Sequence, residues 1–139
     1  MCNDLIKEYE GCKLQAYKCP AGVWTIGYGI TFYPNGCPVK EGDIITEEYA
    51  EALLTDYIIK NIYPIFQKIP YVITRSQRDA LTSLIYNIGG PAFLKSKLYK
   101  AICKKDFANI FKEWDFGYNQ FKGLAKRRAH ELHLFLKDI

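Results

Sequence analysis

The chain has 139 residues, 49% of them apolar and 15% aromatic, enough for one domain with a continuous hydrophobic core. Its formal net charge of +4, from 19 basic and 15 acidic residues, suits an anionic polymer as partner as readily as it describes a solvated basic face. Apolar runs such as Tyr57-Ile58-Ile59 break off after a few positions and exclude a membrane-spanning helix, while the five cysteines (Cys2, Cys12, Cys19, Cys37, Cys103) have no zinc-type spacing, so no metal site and no cofactor is expected.

Asp4, Lys7, Glu8 and Glu10 interrupt the amino terminus, and no export signal is expected there. Asn3 or Asp4 is placed to cap a short helix with Leu5, Ile6 and Tyr9 on one face, and Gly11 is a natural stop, so Glu10 falls at the helix end. Residues 14–45 change character. Leu14-Gln15-Ala16-Tyr17 alternates, Val23-Trp24-Thr25-Ile26 is rich in β-formers, and the turn signals Cys19-Pro20-Ala21-Gly22 and Pro34-Asn35-Gly36 punctuate them, which predicts a small antiparallel sheet.

From Thr46 the period becomes helical. Glu47 and Glu48 open a long helix with Ala50, Leu53, Leu54, Tyr57, Ile58, Ile62, Ile65 and Phe66 as its apolar positions, kinked or ended by Pro64. Thr74-Arg75-Ser76-Gln77 fits a capping box before the stripe Ala80, Leu81, Leu84, Ile85 and Ile88, and Gly89-Gly90 stops that helix. Shorter helices are expected after Ser96 and Asp106, and a last one from about Gly123 to Leu136. The resulting expectation is an α+β fold: one domain, 1–139, with a β-containing lobe at about 12–45 and a helical lobe at about 46–139 plus the N-terminal helix, joined by the long helix.

By spacing alone, Glu10 at a helix end is more often a solvated surface residue than an acid. Folded beside it, a hairpin would bring Cys19 at its turn and Thr25 on its returning strand into one place, the arrangement that glycoside hydrolysis needs: an acid for the leaving oxygen and a second group for the water. The stretch Glu10-Gly11-Cys12-Lys13-Leu14-Gln15-Ala16-Tyr17, with Ala21-Gly22-Val23-Trp24-Thr25-Ile26-Gly27-Tyr28-Gly29, resembles the active-site signature of glycoside hydrolase family 24, the phage endolysins. Gln77-Arg78-Asp79-Ala80-Leu81 with Ser83, Tyr86-Asn87 and Gly89 resembles the family's second block. Trp114, Gly123-Leu124, Arg127-Arg128 and Glu131 resemble its third.

The resemblance implies a two-lobed fold with a cleft between the lobes and cleavage of the β-1,4 bond between N-acetylmuramic acid and N-acetylglucosamine in bacterial peptidoglycan, with inversion. The family's catalytic set is a Glu, an Asp or Cys nine positions later and a Thr six further on, which implies Glu10 as general acid, desolvated by Ile6, Tyr9 and Trp24, with Cys19 and Thr25 supporting the attacking water. Cys19 stands where most members have Asp. Its alternative is a plain turn cysteine.

The resemblance also implies substrate contacts at Thr31, Tyr86 and Ser96, whose alternatives are a strand residue, a core residue and a helix cap. Ile30, Lys97 and Tyr118 depart from residues the family often has. Exported endolysins of similar sequence lock a catalytic cysteine in a disulfide; here that would pair Cys12 with Cys19 and leave Cys2 to exchange. Arg127 and Arg128 are spaced to pair with Glu131, and His130 and His133 have surface or packing roles.

Two other readings compete with hydrolysis: a lytic transglycosylase on the same bond, against which Thr25 argues, and an inactive wall-binding module, suggested by the Asp-to-Cys change. A nucleic-acid partner is not expected, because no recognition motif or stacking platform accompanies the charge. A monomer is expected, made in the host bacterial cytoplasm and reaching the wall in the periplasm after membrane release through a holin-type pore.

Overall fold

A computed structural model of the chain describes residues 4–117 and 124–137. Among these residues are eight helices and one two-stranded antiparallel sheet, the α+β class expected. The chain divides into two compact units. One spans residues 6–60; the other runs from residue 61 onward and takes in the start of the first helix.

In the first unit, α1 (Asp4–Glu10) buries Ile6 and ends where the Gly11 N–H reaches the Lys7 carbonyl at 3.2 Å. The strands β1 (Lys13–Lys18) and β2 (Trp24–Gly27) pair antiparallel. Both turn signals fold the same way. In Cys19–Val23 the Gly22 N–H donates to the Cys19 carbonyl at 2.8 Å and the Cys19 N–H to the Val23 carbonyl at 3.0 Å. In Tyr33–Cys37 the Gly36 N–H donates to Tyr33 and the Tyr33 N–H to Cys37, each at 2.9 Å. Each turn has Pro second and a left-handed Gly fourth, Gly22 at φ +80° and Gly36 at φ +86°, the three-residue hairpin loop in which only glycine is unstrained.

The long helix α2 (Glu47–Asn61) opens on Thr46, whose hydroxyl oxygen accepts the Tyr49 N–H at 3.1 Å, and buries Ala50, Leu53, Leu54 and Ile58. It stops before Pro64, which instead sits in the first turn of the short α3 (Tyr63–Phe66). With Ile26, Tyr28, Ile30 and Val39, these α2 side chains and Ile6 make the buried apolar part of the first unit. The boundary between the two units falls at the last residue of α2.

The second unit carries α4 (Arg75–Ile88), α5 (Gly90–Leu94), α6 (Lys97–Cys103), α7 (Phe107–Gly117) and α8 (Ala125–Leu136). The capping box forms: Thr74 accepts the Gln77 N–H at 3.1 Å while the Gln77 side chain accepts the Thr74 N–H at 3.0 Å. Ala80, Leu81, Leu84 and Ile85 are buried as the stripe requires, and Ile88 only half so. Gly89 ends α4, yet Gly90 does not prolong the break. Pro91 in a first turn suits the start of α5, an element that reading Gly89-Gly90 as a stop conceals. The start expected for the last helix, Gly123, and the departure at Tyr118 lie outside the described residues.

Helix α4 packs on α8, and α8 on α7, where the Trp114 and Phe135 rings meet at 5.0 Å. Inside this contact is a charged cluster. Glu131 Oε2 accepts from Ser83 Oγ at 2.5 Å, Arg128 Nη2 at 3.1 Å and Arg127 Nε at 3.3 Å, while Trp114 Nε1 donates to Oε1 at 3.4 Å and Arg127 Nη2 donates to the Ser83 carbonyl at 3.0 Å. All three charged residues are at most 2% exposed. Arg127 and Arg128 are thus structural ion-pair partners, and of the basic run at 126–128 only Lys126 belongs to a solvated face. Burial pushes the Glu131 carboxyl above its ordinary value, against the opposing pull of Arg128, Ser83, Arg127 and Trp114.

Removing one member of a buried ion pair strands its partners, so Glu131→Ala is expected to lower unfolding free energy by about 3–5 kcal/mol, against about 1 kcal/mol for the cap variant Thr74→Ala. Urea denaturation of both variants checks the ranking. In the first unit, a backbone hydrogen bond from Lys40 and then the Tyr33 hydroxyl, 2.7 Å away, hold the Asp43 carboxyl below its ordinary value. A depressed carboxylate stabilises the fold above the unfolded carboxyl range, about pH 4, and the contribution disappears as pH falls through the folded value. Tyr33→Phe should therefore cost stability at neutral pH and progressively less as the solution is acidified below pH ~4, measured as midpoint shifts across a pH series.

Candidate active site

The hairpin turn builds the candidate site. The Val23 carbonyl accepts two hydrogen bonds at 3.0 Å, from the Cys19 N–H and from the Thr25 hydroxyl, which ties the turn residue to the returning strand. The strand register sets Tyr17 opposite Thr25 and Lys18 opposite Trp24. Because side chains alternate along a strand, Tyr17 and Thr25 share one face with Cys19, two positions beyond Tyr17. Lys18 and Trp24 take the other face, where the Lys18 ammonium sits 5.4 Å from the Trp24 ring centroid. Trp24 is therefore engaged away from Thr25, and the aromatic neighbour of the site is Tyr17.

Thr25 is buried, and Cys19 and Glu10 are half-buried. Hydrogen bonds from the backbone of Val23 and then of Ala21 hold the Cys19 thiol below its ordinary value, with the Thr25 side chain adding to them. Thr25 has one hydroxyl proton, so the Val23 carbonyl and the Cys19 sulfur compete for it. Burial pushes the Tyr17 phenol up, and the negative charges of Glu10 and then of Cys19 push it further. Tyr17 thus stands within electrostatic reach of both. Sequence reasoning did not single out Tyr17; its signal is the two-residue spacing to Cys19 on a strand.

Thr31 is half-buried beside the second turn, its carbonyl accepting the Val39 N–H at 3.0 Å. Tyr86 is half-buried near the end of α4. Ser96 caps α6: its oxygen accepts the Tyr99 N–H at 3.1 Å and its hydroxyl donates to the Phe93 carbonyl at 2.6 Å. Its hydroxyl proton is therefore already used on the preceding helix, α5. Cys12 and Cys19 are free thiols at opposite ends of β1. The intervening strand, irregular between Lys13 and Tyr17, still separates them by on the order of 15 Å, whereas a disulfide needs Cα atoms within about 7 Å. Pairing them requires dismantling β1, and Cys12 lies instead by Tyr28, whose phenol burial and the Cys12 thiol both push upward. Cys2 lies outside the described residues. His130 and His133 are exposed, and among the described residues no helix is long and apolar enough to cross a membrane.

Comparison with known proteins places this hairpin in a family. The phage lysozyme family pattern matches residues 7–131. An endolysin of Acyrthosiphon pisum secondary endosymbiont phage 1 is 40% identical over 139 residues, covering 94% of this chain and 92% of that one. Among solved structures, the endolysin from Escherichia coli O157:H7 phage FAHEc1 superposes with a TM-score of 0.87 at 32% identity, over 98% of this chain and 90% of that one. The muramidase domain of SpmX from Asticaccaulis excentricus superposes at 0.80 with 31% identity, over 96% and 92%. The chain belongs to the phage lysozyme family, and it is a peptidoglycan-hydrolysing enzyme of the endolysin type that acts on the bacterial cell wall.

Proposed function

We propose that the chain is a muramidase that cuts the β-1,4 bond between N-acetylmuramic acid and N-acetylglucosamine, with Glu10 as general acid and Thr25 and Cys19 holding the water. The observation that carries this reading is the turn itself, which fastens Cys19 and Thr25 to one carbonyl and turns them to the same face as Tyr17, the residue whose phenol registers the Glu10 charge. The structural likeness to a muramidase domain supports the choice of bond.

Glu10 gives its proton to the glycosidic oxygen as the bond from that oxygen to the muramic carbon breaks. Water held by the Thr25 hydroxyl forms the new bond to that carbon from the opposite face, and its proton passes to the Cys19 sulfur or to solvent. A thiolate at Cys19 also faces the positive charge that develops on the sugar. A hydroxyl placed to hold water favours hydrolysis over transglycosylation, which consumes none, and a retained acid favours an enzyme over a binding module. Thr31, Tyr86 and Ser96 would contact the glycan. A monomer suffices, since one hairpin and one helix end carry the whole set, and the wall is reached in the periplasm after synthesis in the host cytoplasm.

Clearing of purified peptidoglycan, with mass analysis of the fragments, tests the assignment. Glu10→Gln should slow release by about 10²–10⁴-fold, the contribution of a positioned acid. Wild-type fragments should carry reducing ends; anhydro ends would establish the transglycosylase instead. A second test reads Cys19 directly. Its alkylation by iodoacetamide should persist to lower pH than that of the same cysteine in an unfolded peptide, and Thr25→Val should move the midpoint back up; a midpoint unmoved by Thr25→Val would remove the Thr25–Cys19 link.

A further inference from the structure

A cavity of about 340 Å³ opens on the first unit, lined by Tyr33, Asn35, Asp43, Ile44, Ile45 and Tyr49. It lies off the catalytic hairpin face, because residues 43–45 run along the outer edge of β1, where the Ala16 N–H reaches the Asp43 carbonyl at 2.9 Å and the Ile45 N–H reaches the Leu14 carbonyl at 2.8 Å, while β2 holds the inner edge. With neighbouring strands about 4.8 Å apart, the cavity edge and the strand of Thr25 are separated by β1 alone.

The lining offers a particular set of free valences. Asp43 Oδ2 accepts both the Tyr33 hydroxyl at 2.7 Å and the Lys40 N–H at 3.0 Å, which fixes the carboxylate and leaves Oδ1 as an acceptor. Asn35 Oδ1 accepts the Cys37 N–H at 3.0 Å, which fixes the amide and leaves its NH₂ as a donor. The Tyr49 ring is 44% exposed, and Ile44, 73% exposed, adds an apolar wall. The Tyr33 phenol is pushed up to about 12 by burial and then by Asp43, so it stays a neutral donor to that carboxylate throughout the physiological range. One fixed acceptor, one fixed donor and aromatic surface beside them match a pyranose, which presents hydroxyls that both donate and accept at its rim and C–H groups on its face.

We propose that this cavity is an accessory saccharide site that holds an N-acetylated sugar of the glycan strand outside the catalytic hairpin. It rests on the glycan reading above. Asp43 accepts from a ring hydroxyl, the Asn35 amide donates to a hydroxyl or acetamido oxygen, and Tyr49 packs on the sugar face. The site adds affinity for long strands and contributes nothing to bond cleavage.

Two measurements test it. In the Glu10→Gln protein, where hydrolysis is removed, titration with the β-1,4-linked trimer of N-acetylglucosamine should shift the backbone amide resonances of residues 33–36 and 43–49, and adding Tyr49→Ala should abolish those shifts. In the otherwise wild-type protein, Tyr49→Ala and Asn35→Asp, which keeps the oxygen that accepts Cys37 N–H, should each raise KM on purified peptidoglycan about fivefold, the effect of one hydrogen bond or contact, with kcat unchanged. Shifts confined to the Glu10–Thr25 region, with wild-type KM in both variants, overturn the accessory site while leaving the muramidase standing. Shifts at 33–36 and 43–49, together with a wild-type protein that releases no reducing-end fragments from peptidoglycan, establish the site and overturn the muramidase.

Discussion

The Val23 carbonyl is the joint on which the candidate site depends. It accepts the Cys19 amide and the Thr25 hydroxyl at the same time, so the turn cannot open without releasing both residues expected to manage the water. The geometry follows from local chemistry. Pro20 sets the first turn residue, and Gly22 takes a positive φ that any side chain would resist, so the loop closes in three residues and the register of β1 on β2 is fixed from that end. Once Tyr17 is opposite Thr25, the period of two puts Cys19 on their face and sends Trp24 to the other. A one-residue slip would exchange the faces and leave Lys18 and Trp24 where the chemistry is needed.

The second unit depends on a different constraint. Glu131, Arg127 and Arg128 are one turn of α8, buried against α4 and α7, and burying an ion this deeply is costly unless its hydrogen bonds are met. Ser83 and Trp114 supply part of that requirement from two other helices, which explains why polar residues occupy an otherwise apolar interface. Such a cluster fixes how α8 is rotated on α4, since a rotation by one position would carry all three charged residues away from Ser83 and Trp114, their partners on the other two helices. Apolar residues could fill the same volume but would discriminate less sharply between rotations.

Most of the fold was legible because its punctuation is chemical. The capping box at Thr74, Pro64 after the long helix and the two Pro-x-Gly turns each act within a few residues, and each formed where the sequence placed it. Where reading failed, the deciding interaction was non-local or ambiguous. Gly89-Gly90 both ends α4 and precedes α5, and nothing short of packing distinguishes a break from a restart. Helical periodicity likewise puts Arg127 and Arg128 beside Glu131 but says nothing about the depth at which they sit. In the site, Glu10, Cys19 and Thr25 came from a resemblance, whereas Tyr17 needed the strand register, and the separation of Cys12 from Cys19 needed the knowledge that a strand lies between them.

The cysteine at position 19 also changes what the site must do for itself. A carboxylate there would be charged throughout the neutral range without help, but a thiol ordinarily titrates above it, so its charge has to be drawn out by its surroundings. The turn provides this with backbone groups of Val23 and Ala21, the same short segment that sets the hairpin. Folding the turn and readying the thiol are therefore one event: a hairpin that frays loses the backbone contacts that hold the Cys19 thiol below its ordinary value. Thr25 sharpens this coupling, because its single proton either braces the Val23 carbonyl or turns to the sulfur, so the same side chain serves the turn or the thiol but not both at once.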